Sequence, residues 1–203
     1  MPAARTHDAS VVLWWIPVGA GGHVVRHTSR WWELVDARLA RRAPRPLFHA
    51  ALEVTVDGAV SVIEMAPAWG GHRPAERGVV ATGPVGARVL GRSPLFRYEV
   101  RCWRGGTIPD VGWAEGPAVV LSDRPATARA VLDHVREVPV LTWGRTVRAA
   151  GDMWNSNSVV AWLLVTAGID TTDLAPPARG RAPGWDAGLA LAPGPASTGS
   201  RGT

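Results

Sequence analysis

The chain has 203 residues, 46% of them hydrophobic, with 11 tryptophans and a single cysteine. That composition excludes a disordered polymer and fits one domain with a sizeable core, expected over residues 8–192, with a Pro/Gly/Ser-rich tail over 193–203. The net charge of +5 comes from arginine, because lysine is absent; this reads as GC-rich coding rather than as a nucleic-acid binder, whose charge gathers on one face or stripe.

In chain order, Val11–Ile16 reads as a buried strand, broken at Gly19–Gly22. No run reaches the ~18 apolar residues of a membrane span. Val11–Ala20 contains Pro17 and follows His7 and Asp8, so it makes a poor signal peptide, and a cytoplasmic protein is expected. His23 and His27 stand four residues apart, as zinc ligands do on a helix face. Val24 follows the first His where a metalloprotease would carry Glu, and the glycines before it disfavour helix, so no metal is expected. A helix is expected to start near Thr28 or Ser29, with Trp31, Leu34, Val35 and Leu39 on one face, and to end at Pro44 and Pro46. The densest basic cluster, Arg38, Arg41, Arg42 and Arg45, is the end of that helix plus its linker, where cations suit the helix dipole.

A hairpin follows. Leu47–Val56 alternates, Asp57-Gly58 is a two-residue turn pair, and Ala59–Ala66 runs back. If Val56 pairs with Ala59, paired numbers sum to 115. His49, Ala51, Glu53 and Glu64 then share one face, with Glu64 diagonal to His49. Phe48, Ala50, Leu52, Val54, Val60 and Val62 are expected on the opposite, core face. Pro67–Gly86 reads as a mobile Gly/Pro stretch, and Arg88–Leu90 and Leu95–Trp103 as strands. Cys102, in the latter, has the setting of a buried strand thiol. The loop Trp103–Asp110, with Trp14, Trp15, Trp69, Trp113 and Trp154, is a candidate cleft lining. A helix begins after Ser122 or Asp123 with Pro125 in its first turn and Ala128, Val131, Leu132 and Val135 as its apolar face. Val140–Trp143 reads as a short strand. Trp185 and Leu189 are candidates to pin the last segment to the core.

Residues 153–158, Met-Trp-Asn-Ser-Asn-Ser, hold the only two asparagines of a chain without glutamine. An apolar run to Val165 follows and ends at Gly168, the pattern of a helix with a capped N-terminus and a glycine C-cap. A hydroxyl there faces unpaired backbone N–H groups and the positive end of the helix dipole. Ser156 can therefore be an N-cap, or a nucleophile whose developing charge is stabilised. A histidine beside a carboxylate, as with His49 and Glu64, is the matching base; a pair on a solvated strand face can also be idle.

The strand Leu47–Val54 with its His, the Asp57-Gly58 turn, Val62–Met65 with its Glu, and the late Asn155-Ser156-Asn157-Ser158 at a helix start resemble the circularly permuted papain-like superfamily, which includes permuted NlpC-type peptidases and lecithin:retinol acyltransferase-like enzymes. The resemblance covers roughly residues 47–66 and 150–168. It implies an α+β fold, an antiparallel sheet of about five strands packed against helices. By position, His49 matches the base, Glu64 the second polar residue and Ser156 the nucleophile, where the family has Cys. The implied activity is hydrolysis or acyl transfer at an ester or amide bond of a small-molecule, lipid or peptide substrate, without a cofactor. The Ser156 and Asn157 N–H groups, helped by the Asn155 amide, would form the oxyanion site, and Trp154 would contact substrate. The alternative is a catalytically inactive member that binds an acyl chain, a peptide or a protein partner.

Overall fold

Six strands form one antiparallel sheet in a computed structural model that describes residues 8–19, 38, 41–68, 77–108 and 110–193. In chain order they are β1 (Ala9–Pro17), β2 (Phe48–Val56), β3 (Ala59–Pro67), β4 (Val79–Pro84), β5 (Arg97–Arg104) and β6 (Val119–Ser122). Their order across the sheet is β4-β5-β3-β2-β1-β6. A separate two-stranded ribbon pairs β7 (Thr146–Val147) with β8 (Asp152–Met153). The helices are α1 (Pro125–His134), α2 (Ser156–Thr166) and α3 (Trp185–Leu191). The fold is thus α+β. The His23/His27 pair, the helix predicted from Thr28 (Arg38 apart) and the tail after 193 lie outside the described residues.

The hairpin forms in the expected register, from Val56↔Ala59 to Leu52↔Ile63. Asp57 and Gly58 both have positive φ (50° and 74°), the conformation whose twist matches that of the flanking strands. Because 115 is odd, paired residues have opposite parity. Val62 therefore lies opposite Glu53, and Val60 opposite Thr55. Both belong to the face of His49 and Glu64, which corrects their expected place on the main core face; Ile63 takes that position.

The main core lies on the face carrying Phe48, Ala50, Leu52, Val54 and Ile63, covered by Ala128, Val131 and Val135 at α1 and by Val159, Val160 and Leu163 of α2. The first nine residues of α2 are all buried, so this helix is central rather than amphipathic. α3 crosses it closely: a Cβ on Gly188 would lie 2.2 Å from the Ser158 carbonyl oxygen. Trp185 meets Trp15 with ring centroids 5.2 Å apart, so the last helix is anchored as expected. The other sheet face holds a smaller cluster, Ile16, Ala51, Val62 and Ile108, flanked by Trp14 and Trp103.

Three local expectations change. The sheet has six strands rather than about five: Val119–Ser122, not read as a strand, is β6, and part of the Gly/Pro stretch is strand β4. Its Gly83 lies where a Cβ would stand 2.4 Å from the Tyr98 ring, so this glycine permits close packing rather than marking a loop. Residues 88–92 form a 3₁₀ turn instead of a strand. From Val140 to Trp143 only an isolated bridge, Val85↔Trp143, is made.

Candidate functional site

The β2–β3 ladder stops at Leu52↔Ile63, so the pairs expected farther along, His49 with Ala66 and Ala51 with Glu64, do not form. The start of α2 takes that place. Asn157, 3% exposed, accepts from the Ala50 N–H through Oδ1 at 2.7 Å and donates through Nδ2 to the Phe48 carbonyl at 3.0 Å. The Phe48 N–H donates to the Arg181 carbonyl at 2.8 Å, closing the rest of the strand edge. His49 is the residue between the two that Asn157 grips. A helix N-terminus is thereby pinned to the histidine strand by a side chain 107 residues distant in sequence.

The remaining polar residues of the motif divide their roles. Asn155 is the N-cap: its Oδ1 accepts from the Asn157 and Ser158 N–H groups at 2.9 and 3.4 Å. Ser158 Oγ accepts from the Asn155 N–H at 2.9 Å, completing a capping box. The Asn155 and Asn157 amides both donate to the Pro183 carbonyl, at 2.7 and 2.8 Å. Ser158 Oγ also stands 2.7 Å from the Gly184 carbonyl, and the Gly184 N–H donates to Asp152 Oδ2 at 2.7 Å. Gly184 has φ +91°, and a Cβ there would lie 2.2 Å from Asn155 Oδ1. Ser156 is left. It is buried at the first turn, and its hydroxyl makes no hydrogen bond among the described residues. The capping role open to Ser156 in the sequence thus belongs to Asn155 and Ser158.

Two expectations for the site need correction. Asn155 and Asn157 are engaged in capping and in gripping β2 and Pro183, so their side-chain amides do not point at an oxyanion, and the Asn157 N–H is taken by Asn155. Trp154 is fully buried in the main core and cannot touch a substrate. Its Nε1 makes no hydrogen bond among the described residues.

The carboxylates are arranged differently from the sequence expectation. Glu64 shares the face of His49, but it sits opposite Arg101 of β5, whose guanidinium donates to it at 3.3 Å. Arg101 also donates to Glu99 at 3.1 Å, and Arg77 donates to both oxygens of Glu99. A chain of alternating charge, Arg77–Glu99–Arg101–Glu64, therefore crosses the second sheet face. Burial pushes the Glu64 carboxyl up; Arg101 opposes this and Asp110 adds to it. Burial also works on Glu99, but the bonds from Arg77 and Arg101 outweigh it and hold that carboxyl below its usual range.

His49 is half-buried, and burial lowers its pKa below the usual value; the Asp110 carboxylate and the Ala50 backbone partly offset this. The carboxylate that bears on His49 is thus that of Asp110, at the start of the Val111–Trp113 turn. Sequence analysis placed Asp110 only as cleft lining, because nothing local ties position 110 to position 49. A neutral imidazole with an aspartate nearby is the form that a general base needs.

Cys102 is half-buried in β5, its thiol raised by burial, which does not suit a nucleophile. A cavity of about 220 Å³ lies against the 182–184 loop that the asparagines hold, with Trp15, Asp152, Leu174, Arg181 and Trp185 among its walls. Among the described residues no cluster of three or more His, Cys, Asp or Glu could hold a metal ion, and no helix is long and apolar enough to cross a membrane. Comparison with protein-family models, curated proteins and solved structures finds no match to this chain.

Proposed function

We propose that the chain is a hydrolase or acyltransferase of the permuted papain-like kind, in which Ser156 attacks an ester or amide carbonyl. His49 takes the hydroxyl proton and returns it to the leaving group, and water or an acceptor alcohol then releases the acyl group from Ser156. One observation carries the reading: of the four polar side chains at 155–158, three are engaged in holding the helix start, and only the Ser156 hydroxyl is uncommitted, on a helix N-terminus clamped to the strand of His49. Asp110 orients and supports the imidazole in this reading, with Glu64 a neighbour held by Arg101. The Ser156 N–H, at the positive end of α2, faces the developing oxyanion. A cytoplasmic setting belongs to the same proposal.

A fluorophosphonate probe followed by peptide mass spectrometry tests it. Label on Ser156, lost in Ser156→Ala and His49→Ala, is the expected result. Ser156→Cys is expected to keep turnover of a thioester, since a thiol is the stronger nucleophile. No label on Ser156 under any condition would refute catalysis. The second reading, an inactive member that binds an acyl chain, a peptide or a protein partner, is favoured by one observation: no hydrogen bond joins Ser156 to His49 among the described residues. In that case ligand binding survives Ser156→Ala.

A further inference from the structure

Between β4 and β5 the chain makes an excursion from Val85 to Phe96 that leaves large apolar side chains in water. Val89 is 66% exposed, Leu90 41%, Leu95 69% and Phe96 43%. The excursion is closed at its base by the Val85 N–H donating to the Phe96 carbonyl at 2.8 Å. Its two 3₁₀ turns, Arg88–Arg92 and Pro94–Phe96, meet at Ser93, whose Oγ accepts from the Leu95 N–H. Two arginines brace it from outside. Arg97 donates to the Gly91 carbonyl at 2.6 Å and to the Arg92 carbonyl at 3.3 Å, and Arg145 donates to the Gly86 carbonyl at 2.7 Å. The apolar tip is thus held in shape while exposed, and a partner need not order it.

Charge identifies the partner. From Gly78 to Tyr98 the sequence contains no Asp or Glu, and its charged residues are Arg88, Arg92 and Arg97. Arg88 and Arg92 are exposed beside the apolar side chains. The four apolar side chains expose on the order of 400 Å² together, the size of a functional patch but about half of the ~800 Å² per partner that a stable protein interface buries. A small apolar wedge flanked by two exposed arginines, in a segment that carries no acid, matches a surface that is apolar inside and anionic at its rim. We propose that residues 88–96 are an interfacial anchor for anionic lipid bilayers: Val89, Leu90, Leu95 and Phe96 enter the headgroup–acyl boundary while Arg88 and Arg92 meet lipid phosphates. The anchor is independent of the chemistry at Ser156.

Sedimentation with vesicles tests it, using phosphatidylcholine alone and phosphatidylcholine with one-third phosphatidylglycerol at 0.1 M salt. Wild-type protein is expected to bind the anionic vesicles at least tenfold more tightly than the neutral ones, and less tightly as salt is raised. Leu95→Glu/Phe96→Glu is expected to weaken binding at least tenfold. Arg88→Ala/Arg92→Ala should lose about fivefold per arginine. Because all four positions are exposed, circular dichroism melts of the variants should match wild type. The proposal is overturned if wild type ignores anionic vesicles, or if the folded variants bind them undiminished. It is also overturned if analytical ultracentrifugation shows self-association that Leu95→Glu/Phe96→Glu abolishes, since a second copy of the chain would then be the occupant.

Discussion

Replacing Asn157 and Ser156 in turn by alanine separates the two roles assigned within one motif. Asn157→Ala removes the acceptor of the Ala50 N–H and the donor to the Phe48 and Pro183 carbonyls, all at a buried position. An orphaned buried N–H costs about 1–3 kcal/mol, and an under-satisfied carbonyl less. A loss of roughly 3 kcal/mol is therefore expected, lowering Tm by about 6–12 °C in a chain of this size. Ser156→Ala removes a hydroxyl that makes no bond and slightly favours helix, so its effect should stay within about 0.5 kcal/mol. Urea titration of wild type and both variants, followed by tryptophan fluorescence and circular dichroism, measures both values from the midpoints at a common slope. A loss above about 1 kcal/mol in Ser156→Ala would mean that the hydroxyl anchors the helix, and the functional argument for Ser156 would fall. A loss below about 1 kcal/mol in Asn157→Ala would mean that the clamp on β2 contributes little.

Gly184→Ala should destabilise by about 3 kcal/mol or more, since its backbone stands at φ +91° and its Cβ would collide with the Asn155 side chain; an unchanged melting temperature would show that the 182–184 loop can move aside. Glu99 lies below its usual carboxylate range of about 4.5, so its stabilisation is present above that value and lost as pH falls through the lower folded pKa. Glu99→Gln should therefore flatten the acid limb of the stability–pH curve while lowering stability at neutral pH, read from denaturant midpoints across pH. If the site turns over substrate, the rate should rise with pH through a midpoint below the ordinary histidine value of 6.5. Asp110→Asn should move that midpoint lower still, since Asp110 raises the pKa of His49; a shift upward, or none, would remove Asp110 from the site.

Local pattern was sufficient for the hairpin, its turn and its register, because alternation and an Asp-Gly pair act over a few residues. It was sufficient as well for the start and apolar body of the Ser156 helix and for the placing of His49 and Glu64 on one sheet face. Parity also assigns Val60 and Val62 to that face, so their misplacement was a misreading of a pattern already present. Only the tertiary structure decided the rest. Strand β4 hides in a Gly/Pro stretch because Gly83 serves Tyr98, a contact that periodicity does not record. Asn157 reads as one more capping residue until β2 is seen to leave β3 and need a partner for Ala50. Trp154 looks like a substrate aromatic in sequence, yet the core claims it. Asp110 reaches His49 across 61 residues, and Arg101 captures Glu64 from a neighbouring strand. Each of these depends on where distant segments meet, and the choice among polar partners is settled by burial and charge at that meeting point, which no local window of sequence contains.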